Sequence, residues 1–314
     1  MGKIAFLFAG QGAQKPGMGS DLYEQVDVAK EVFDMGEALR PGTLEQCFQS
    51  TQEILTKTEN TQPCLFLMDL ACARVLESYG VKADMAAGFS LGEIAAISFT
   101  GILSDEEAFR LVVCRGNKMA QCSASQPGSM MAVLRMTGEQ VEELCKDYQD
   151  VYAVNFNCPG QTVVAGAKEI MPSFADAIKA AGGRTIPLAV SGAFHTPYML
   201  EATKALEECL KNLTVKESNI PLISNMTAMS YPNNKEEICS LISRQASNSV
   251  RWEESLRYMY ESGVDTFIEV GAGTTLTGLV KKTLEDKVKI FNVSDIESLK
   301  NVVKELTGKA VRNA

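Results

Sequence analysis

The chain has 314 residues and a formal net charge of −9 at pH 7. With 46% hydrophobic and 22% charged residues, it has the composition of a globular protein with a sizeable core and room for a smaller second unit. The acidic balance argues against nucleic acid as a partner. No apolar run has the length needed to span a bilayer, so we expect no membrane partner.

Cysteine and histidine usage indicates the compartment. The apolar residues 4–10 run into Gln11-Gly12-Ala13-Gln14 rather than a cleavage site, which predicts a buried first strand and not a signal peptide. The nine cysteines include no C-x-x-C pair and the chain has one histidine. This pattern favours reduced thiols over a disulfide scaffold or a zinc site. We therefore expect a cytoplasmic protein with no metal and no bound cofactor.

Helices and strands alternate through the first and last thirds of the chain. A continuously apolar strand over residues 3–9 is typical of a strand buried on both faces of a parallel sheet. A largely buried helix over 62–79, a short strand over 84–89 and a helix over 91–97 follow. A last core strand is predicted over 266–270. The pattern indicates an α/β core.

The middle of the chain has a different order of elements. Strands are predicted at 130–135, 151–155, 162–167 and 185–190, and helices at 137–147 and 170–181. The helix at 137–147 is opened by Thr137 with Gln140 three residues later, the sequence of a capping box. The resulting order βαββαβ is the ferredoxin-like pattern. We predict a core of residues 1–126 and 192–314 and an inserted unit of residues 127–191.

The glycine-rich loop after the first strand matches two nucleotide-binding motifs only in part. Gly10 and Gly12 follow the first strand, but Lys15 stands where a dinucleotide fingerprint needs its third glycine. Gly12 and Gly17 have P-loop spacing, but Met18 stands where the P-loop needs lysine. These departures argue against a bound nucleotide cofactor.

The sequence Gly88-Phe89-Ser90-Leu91-Gly92 lies between a predicted strand and a predicted helix, the context of a nucleophile elbow. A serine hydroxyl needs a base to become a good nucleophile, and His195 is the only histidine. We predict Ser90 as nucleophile, His195 as its base, and the Leu91 N–H at the helix start as an oxyanion donor. On the motif alone, a glycine-flanked serine in an ordinary turn is an equally good interpretation.

Five motifs occur in the order seen in malonyl-CoA:acyl carrier protein transacylases, and the chain resembles that family over essentially its whole length. The motifs are Gly10-Gln11-Gly12-Ala13-Gln14, Gly88-Phe89-Ser90-Leu91-Gly92-Glu93, Arg115-Gly116-x-x-Met119, Gly192-Ala193-Phe194-His195 and Glu269-Val270-Gly271-x-Gly273. The resemblance implies an α/β-hydrolase-like core with a parallel sheet that carries an inserted ferredoxin-like subdomain. It further implies a free-standing enzyme of bacterial fatty acid synthesis, which we expect to be a monomer.

The family resemblance implies a ping-pong acyl transfer. Ser90 attacks the thioester of malonyl-CoA, and His195 acts first as base and then as acid. The backbone N–H groups of Gln11 and Leu91 form the oxyanion hole. The phosphopantetheine thiol of holo-acyl carrier protein then accepts the malonyl group, for fatty acid or polyketide synthesis. Because the carrier protein and this chain are both acidic, docking needs a local basic patch, for which Lys118 and Arg184 are candidates.

The resemblance also assigns the substrate-binding residues. Arg115 holds the free carboxylate of the malonyl group, although an arbitrary arginine on a helix is more often solvated. Phe194 fills the space that a 2-methyl group needs, although it also suits a core aromatic. The neighbourhood of Gln245 helps to orient the histidine. Two positions depart from the family pattern: Phe89 replaces a histidine and cannot donate a hydrogen bond, and Ser249 replaces a proline, which predicts a less rigid loop.

Two other functions remain open on the residues. A serine hydrolase such as a thioesterase places an acidic residue between Ser90 and His195 in chain order. The acidic candidates in that interval are Asp147, Asp150, Glu169 and Asp176. A noncatalytic binding or scaffold protein needs neither the serine nor the histidine, and it predicts that no acyl-enzyme forms.

Overall fold

The computed structural model describes residues 2–190 and 192–311. Outside the described residues lie Met1, Ser191 and residues 312–314, and with them the predicted unit boundaries at positions 1, 191 and 314. The helices are α1 Ser20–Gln25, α2 Asp27–Leu39, α3 Thr43–Phe48, α4 Gln52–Leu55, α5 Thr58–Ser78, α6 Leu91–Phe99, α7 Asp105–Ser125, α8 Gly138–Cys145, α9 Met171–Ala180, α10 Leu200–Leu210, α11 Lys235–Arg244, α12 Trp252–Glu261, α13 Thr275–Leu284 and α14 Ile296–Thr307. The strands are β1 Lys3–Phe8, β2 Met85–Gly88, β3 Gly128–Leu134, β4 Val151–Cys158, β5 Gln161–Ala167, β6 Arg184–Pro187, β7 Leu222–Ile223, β8 Val264–Val270 and β9 Lys289–Val293. Within these ranges no helix is both long and apolar enough to cross a membrane.

The core is built on a parallel five-stranded sheet with the order β7-β2-β1-β8-β9. The central strand β1 is buried on both faces, as its continuous apolar sequence predicts. Phe6 and Phe8 pack in the cluster that contains the buried face of α5. Ala5 and Leu7 point to the opposite face and pack in the cluster that contains Trp252 of α12. The predicted α/β class with a parallel sheet is confirmed.

The prediction that the core ends with the strand before Gly271 was wrong. Strand β9 follows, and it pairs in parallel with β8 at the edge of the sheet. Its side chains are mostly half-buried, and polar Lys289 and Asn292 interrupt the apolar run. An edge strand of this kind lacks the apolar signature by which a central strand is found.

Strands β3 to β6 form a separate antiparallel sheet with the order β4-β5-β3-β6. With α8 and α9 the chain order is βαββαβ, as predicted. Thr137 and Gln140 form the predicted capping box at the start of α8. The ferredoxin-like description of this part is thereby confirmed. The division into a core of 1–126 and 192–314 and an inserted unit of 127–191 stays a prediction.

The antiparallel sheet is joined to the core next to the segment that follows α11. The Phe156 N–H of β4 donates to the Val250 carbonyl at 2.9 Å, and the Val250 N–H donates to the Val154 carbonyl at 2.7 Å. The Ser249 hydroxyl donates to the Ala153 carbonyl at 3.1 Å. The serine that replaces the family's proline therefore contributes a bond between the sheet and this loop, which opposes the predicted loss of rigidity.

The turn that carries Ser90 brings α6 into direct contact with the sheet. Ser90 has φ 53° and ψ −107°, so its backbone is strained. A Cβ on Gly88 would lie 2.0 Å from the Gly92 carbonyl carbon, and a Cβ on Gly92 would lie 2.2 Å from the Phe8 carbonyl oxygen. The close approach of these backbones requires glycine on both sides of the serine.

Replacing Gly92 by alanine forces α6 away from β1. We expect Gly92→Ala to lower the free energy of unfolding by about 1–3 kcal/mol, the usual cost of overpacking. Gly278→Ala is the matched control, because Gly278 is also helical and a Cβ there meets nothing within 4 Å. In that control the free energy of unfolding should rise by up to ~1 kcal/mol, because alanine has a higher helix propensity than glycine. Urea unfolding followed by circular dichroism measures both, and equal changes would contradict the close-packing argument.

Candidate active site

Ser90 and His195 meet at the carboxyl end of the parallel sheet. The Ser90 Oγ lies 2.8 Å from His195 Nε2. On the other side of the ring, His195 Nδ1 lies 3.1 Å from the Gln245 carbonyl oxygen and 3.0 Å from the Asn248 carbonyl oxygen. Because both of these partners are acceptors, we assign the imidazole proton to Nδ1. Nε2 then presents its lone pair to the serine hydroxyl and can take its proton.

Backbone carbonyls occupy the place that an acidic residue has in a hydrolase triad. Both acceptors within hydrogen-bond distance of Nδ1 belong to the peptide groups of Gln245 and Asn248. The acidic candidates of the hydrolase interpretation, Asp147, Asp150, Glu169 and Asp176, form no hydrogen bond with His195 in the described parts of the chain. The geometry therefore favours a serine–histidine dyad oriented by the main chain.

The imidazole is held neutral by its surroundings. His195 is buried and has a backbone φ of 62°. Its backbone N–H donates to the Ala246 carbonyl at 2.9 Å. Burial lowers the pKa of His195 to about 4, and the positive charge of Arg115 adds to this effect. The two carbonyls at Nδ1 act in the opposite direction. A neutral histidine at physiological pH is the form that a general base needs.

Arg115 reaches the serine from α7. Its Nη2 donates to Ser90 Oγ at 3.2 Å and to Gln245 Oε1 at 2.8 Å, and its Nη1 donates to Gln62 Oε1 at 2.8 Å. The side chain is 1% exposed, and Nε has no hydrogen-bond partner among the described residues. Burial lowers the pKa of Arg115 to about 10, and the negative charge of Glu93 opposes this. The guanidinium is therefore a buried cation whose hydrogen-bond partners are all uncharged, an arrangement that favours an incoming carboxylate.

A small cavity of about 80 Å³ adjoins the serine and the histidine. Gln11 and Phe194, both predicted from the sequence, line it. Leu91 is the first residue of α6, where the backbone N–H groups of a helix have no partner within the helix. The structure therefore brings together the predicted residues Ser90, His195, Gln11, Leu91, Arg115, Phe194 and Gln245. Their individual roles stay predictions.

Sequence reasoning missed two residues of this site, Gln62 and Asn225. Gln62 is fully buried in α5 and binds Arg115; the available signal was a polar residue in an otherwise apolar helix. Asn225 follows β7, and its side chain accepts from the Ser90 N–H at 2.8 Å. Its signal was a polar residue just after an apolar strand, at the sheet edge where sites of α/β proteins form.

Position 89 makes apolar contacts. The Phe89 ring packs edge-on against Trp252, with ring centroids 5.3 Å apart. The ring also lies against the first glycine of the Gly10-Gln11-Gly12 turn, where an added Cβ would come within 2.8 Å of it. The phenylalanine thus contributes packing beneath the elbow, as expected for a side chain that cannot donate a hydrogen bond.

Comparison with known proteins defines the class first. Residues 5–313 match the acyl transferase domain family. The malonyl CoA-acyl carrier protein transacylase of Bacillus subtilis (strain 168) is 38% identical over 98% of both chains. The crystal structure of the Clostridium perfringens malonyl CoA-acyl carrier protein transacylase is 37% identical, with a TM-score of 0.91 over 98% of both chains.

A further solved structure is a complex of a malonyl-transacylase with its type II PKS acyl-carrier protein. It is 33% identical to this chain, with a TM-score of 0.92 over 96% of this chain and 99% of the other. The chain is thus an acyltransferase. It belongs to the malonyl CoA-acyl carrier protein transacylase family, which confirms the resemblance carried by the five motifs.

The single histidine makes its protonation directly observable. Protein labelled with ¹⁵N-histidine should show one set of imidazole resonances. We expect these resonances to report a neutral imidazole down to about pH 4. An unfolded histidine titrates near pH 6.5, so the native state binds fewer protons between these values. Its contribution to stability is thus complete above pH 6.5 and is lost as the pH falls towards 4. A native midpoint near 6.5 would contradict the burial argument.

Proposed function

We propose that this protein transfers the malonyl group of malonyl-CoA, through an ester on Ser90, to the phosphopantetheine thiol of acyl carrier protein. One observation carries the proposal. The Ser90 Oγ lies 2.8 Å from the Nε2 of a neutral, buried histidine and 3.2 Å from the guanidinium of buried Arg115. A base for the nucleophile and a cation for a free carboxylate therefore meet at one atom.

The first half-reaction acylates the enzyme. Ser90 Oγ forms a bond to the thioester carbonyl carbon while its proton passes to His195 Nε2. The N–H groups of Leu91 and Gln11 stabilise the negative charge that develops on the carbonyl oxygen; losing one such donor costs on the order of 100- to 1,000-fold in rate. The carbon–sulfur bond then breaks, and the CoA sulfur leaves with the proton from His195.

The second half-reaction reverses these roles. The phosphopantetheine thiol of the carrier gives its proton to His195, and its sulfur attacks the Ser90 ester. The ester bond breaks, and Ser90 Oγ recovers the proton from His195. Throughout, the two carbonyls at Nδ1 hold the imidazole in the required tautomer and stabilise its transient positive charge.

Arg115 selects the acyl group. The guanidinium donates to the amide oxygens of Gln62 and Gln245. The malonyl carboxylate exchanges these neutral acceptors for a charged one, and each charge-assisted hydrogen bond contributes roughly 1.5–3 kcal/mol. Acetyl-CoA lacks the carboxylate and leaves the guanidinium with neutral hydrogen-bond partners only. The Phe194 ring fills the space beside the acyl group that a 2-methyl substituent needs.

A groove of about 690 Å³ shares Gln11 and Val190 with the small cavity. Its position next to the small cavity suits a pantetheine arm, and Lys57 on its wall, between Glu53 and Glu59, suits a phosphate. On the other side of His195, the groove of about 760 Å³ is lined by Glu139, Glu142, Glu143 and Asp150. Lys146 also lines this groove, but its excess of carboxylates over lysine is larger than in the groove of Lys57. The charges therefore favour entry of the arm along Lys57.

The malonyl-transacylase complex supports acyl carrier protein as the partner of this chain. The product serves fatty acid or polyketide synthesis. Lys118 is half-buried and Arg184 exposed, so both are accessible for docking. The cysteine pattern of the sequence predicts a cytoplasmic location. That location and the monomeric state stay predictions.

Intact-protein mass spectrometry tests the acyl-enzyme. Brief incubation with malonyl-CoA should add one malonyl group, which Ser90→Ala abolishes and holo-acyl carrier protein removes. Ser98→Ala is the control, because this serine lies on the same helix and its hydroxyl binds Asp105. Rapid loss of the adduct to water would instead favour a thioesterase, and the absence of any adduct would contradict catalysis by Ser90.

Replacing Arg115 tests substrate selection. We expect Arg115→Ala to lower kcat/KM for malonyl-CoA about 100-fold or more, since charged hydrogen bonds are lost, while acetyl transfer survives or rises. Arg110→Ala, on the exposed face of the same helix, is the control that should leave both unchanged. Steady-state transfer to holo-carrier protein from the two CoA thioesters measures the ratio. Equal losses on both substrates would contradict the proposed role.

A further inference from the structure

We propose that Asn225 is a positioning residue for Ser90 and that Glu93 and Tyr231 hold Asn225 in place through buried hydrogen bonds. The proposal rests on Ser90 as the nucleophile of the proposed function. It adds three residues that do not line the small cavity beside the serine. Asn225 binds the backbone on which the serine stands, Glu93 binds Asn225, and Tyr231 binds Glu93.

The Asn225 side chain spans the strained turn. Its Nδ2 donates to the Gly88 carbonyl at 2.6 Å, and its Oδ1 accepts from the Ser90 N–H at 2.8 Å. Asn225 is 1% exposed, so water does not offer these groups an alternative partner. A residue at φ 53° persists only where its surroundings over-determine the conformation. The amide supplies that constraint by binding both sides of the turn.

A second amide links the same turn to Arg115. Gln245 Nε2 donates to the Ser90 carbonyl at 2.7 Å and to Asn225 Oδ1 at 3.1 Å, while its Oε1 accepts from Arg115. The N–H and the carbonyl of Ser90 are thus both bound by side chains. A shift of Asn225 would therefore move the serine relative to the guanidinium as well as to His195.

Glu93 and Tyr231 fix Asn225 from behind. The Asn225 N–H donates to Glu93 Oε1 at 3.2 Å, and the Tyr231 hydroxyl donates to the same oxygen at 2.7 Å. Glu93 lies in the first turn of α6, and Ser90 is the N-cap residue directly before that helix. The hydrogen bonds therefore run from the serine to Asn225 and return through Glu93 to the same helix, a closed path in which each member restrains the next.

The charge of Glu93 gives this path a measurable signature. The groups that face its carboxylate are the Tyr231 hydroxyl, the guanidinium of Arg115, and the neutral Asn225 and Gln245. Burial raises the pKa of Glu93 to about 7, and the Tyr231 hydroxyl is the strongest opposing influence. Without the hydroxyl the pKa rises further. The carboxyl is then protonated at neutral pH and is a weaker acceptor for the Asn225 N–H.

Tyr231→Phe removes the hydroxyl and leaves the buried ring. We expect kcat for malonyl transfer to holo-carrier protein to fall roughly 10-fold at pH 7, the effect of one buried hydrogen bond to a charged group, with KM for malonyl-CoA unchanged within about twofold. The acidic limb of the kcat profile should move to higher pH. A loss of stability alone would lower the active fraction at every pH and would leave the limb in place.

Two further variants make the test specific. Tyr23→Phe is the matched control, because the Tyr23 hydroxyl also donates to a carboxylate, that of Asp34, at 2.8 Å and outside the site. It should alter neither kcat nor the pH profile. Glu93→Gln keeps the acceptor oxygen but cannot titrate. In the Glu93→Gln background, Tyr231→Phe should therefore no longer move the acidic limb.

The outcomes separate this proposal from the proposed function. The positioning proposal would be overturned if Tyr231→Phe left kcat and its pH profile unchanged. It would also be overturned if Tyr231→Phe moved the acidic limb as far in the Glu93→Gln background as in the wild-type protein. Asn225→Ala provides a direct readout: labelling of Ser90 by a fluorophosphonate should slow about 10- to 100-fold in folded protein. If Ser90→Ala retained malonylation, the assignment of the nucleophile would fail instead, whatever the Tyr231 variants do.

Discussion

The site depends on one steric constraint, the contact between the start of α6 and the end of the central strand. Gly92 lies so close to the Phe8 carbonyl that no side chain fits between them, and Gly88 lies equally close to Gly92. Because of this close approach the chain turns sharply at Ser90, which adopts a strained backbone conformation at the carboxyl end of the sheet. The other groups of the site are arranged around Ser90, namely the imidazole, the guanidinium and the amides that bind the turn.

The charges around Ser90 then determine which chemistry the serine can support. Burial lowers the pKa of His195, the nearby guanidinium of Arg115 lowers it further, and the imidazole is therefore neutral and free to accept a proton at neutral pH. The same cation is solvated by glutamine amides rather than by a carboxylate. This arrangement leaves the positive charge available for a substrate anion. The proposed base and the proposed anion site therefore share one charge, that of Arg115, and neither is independent of the other.

The parts of the fold that the sequence predicted are those with a local periodic signal. The apolar strand β1, the strand–turn–helix around Ser90 and the βαββαβ order with its Thr137 capping box are all confirmed. Strand β9 was missed because an edge strand carries a mixed polar pattern. Gln62 and Asn225 were missed because each is a single polar residue whose partners lie 53 and 135 positions away. No local pattern records such a pairing.

The sequence by itself determined the chemistry available, since one histidine, one glycine-flanked serine and five ordered motifs leave little choice of nucleophile, base or family. The family resemblance pointed to the neighbourhood of Gln245 for orienting the histidine. The residues alone could not decide between an acidic side chain and a peptide carbonyl, because both can accept from Nδ1. Only the tertiary structure decided this, by bringing the carbonyls of Gln245 and Asn248 to the ring. Every residue carries a carbonyl, so its use as a catalytic partner depends on the path of the backbone and not on the side chain encoded there.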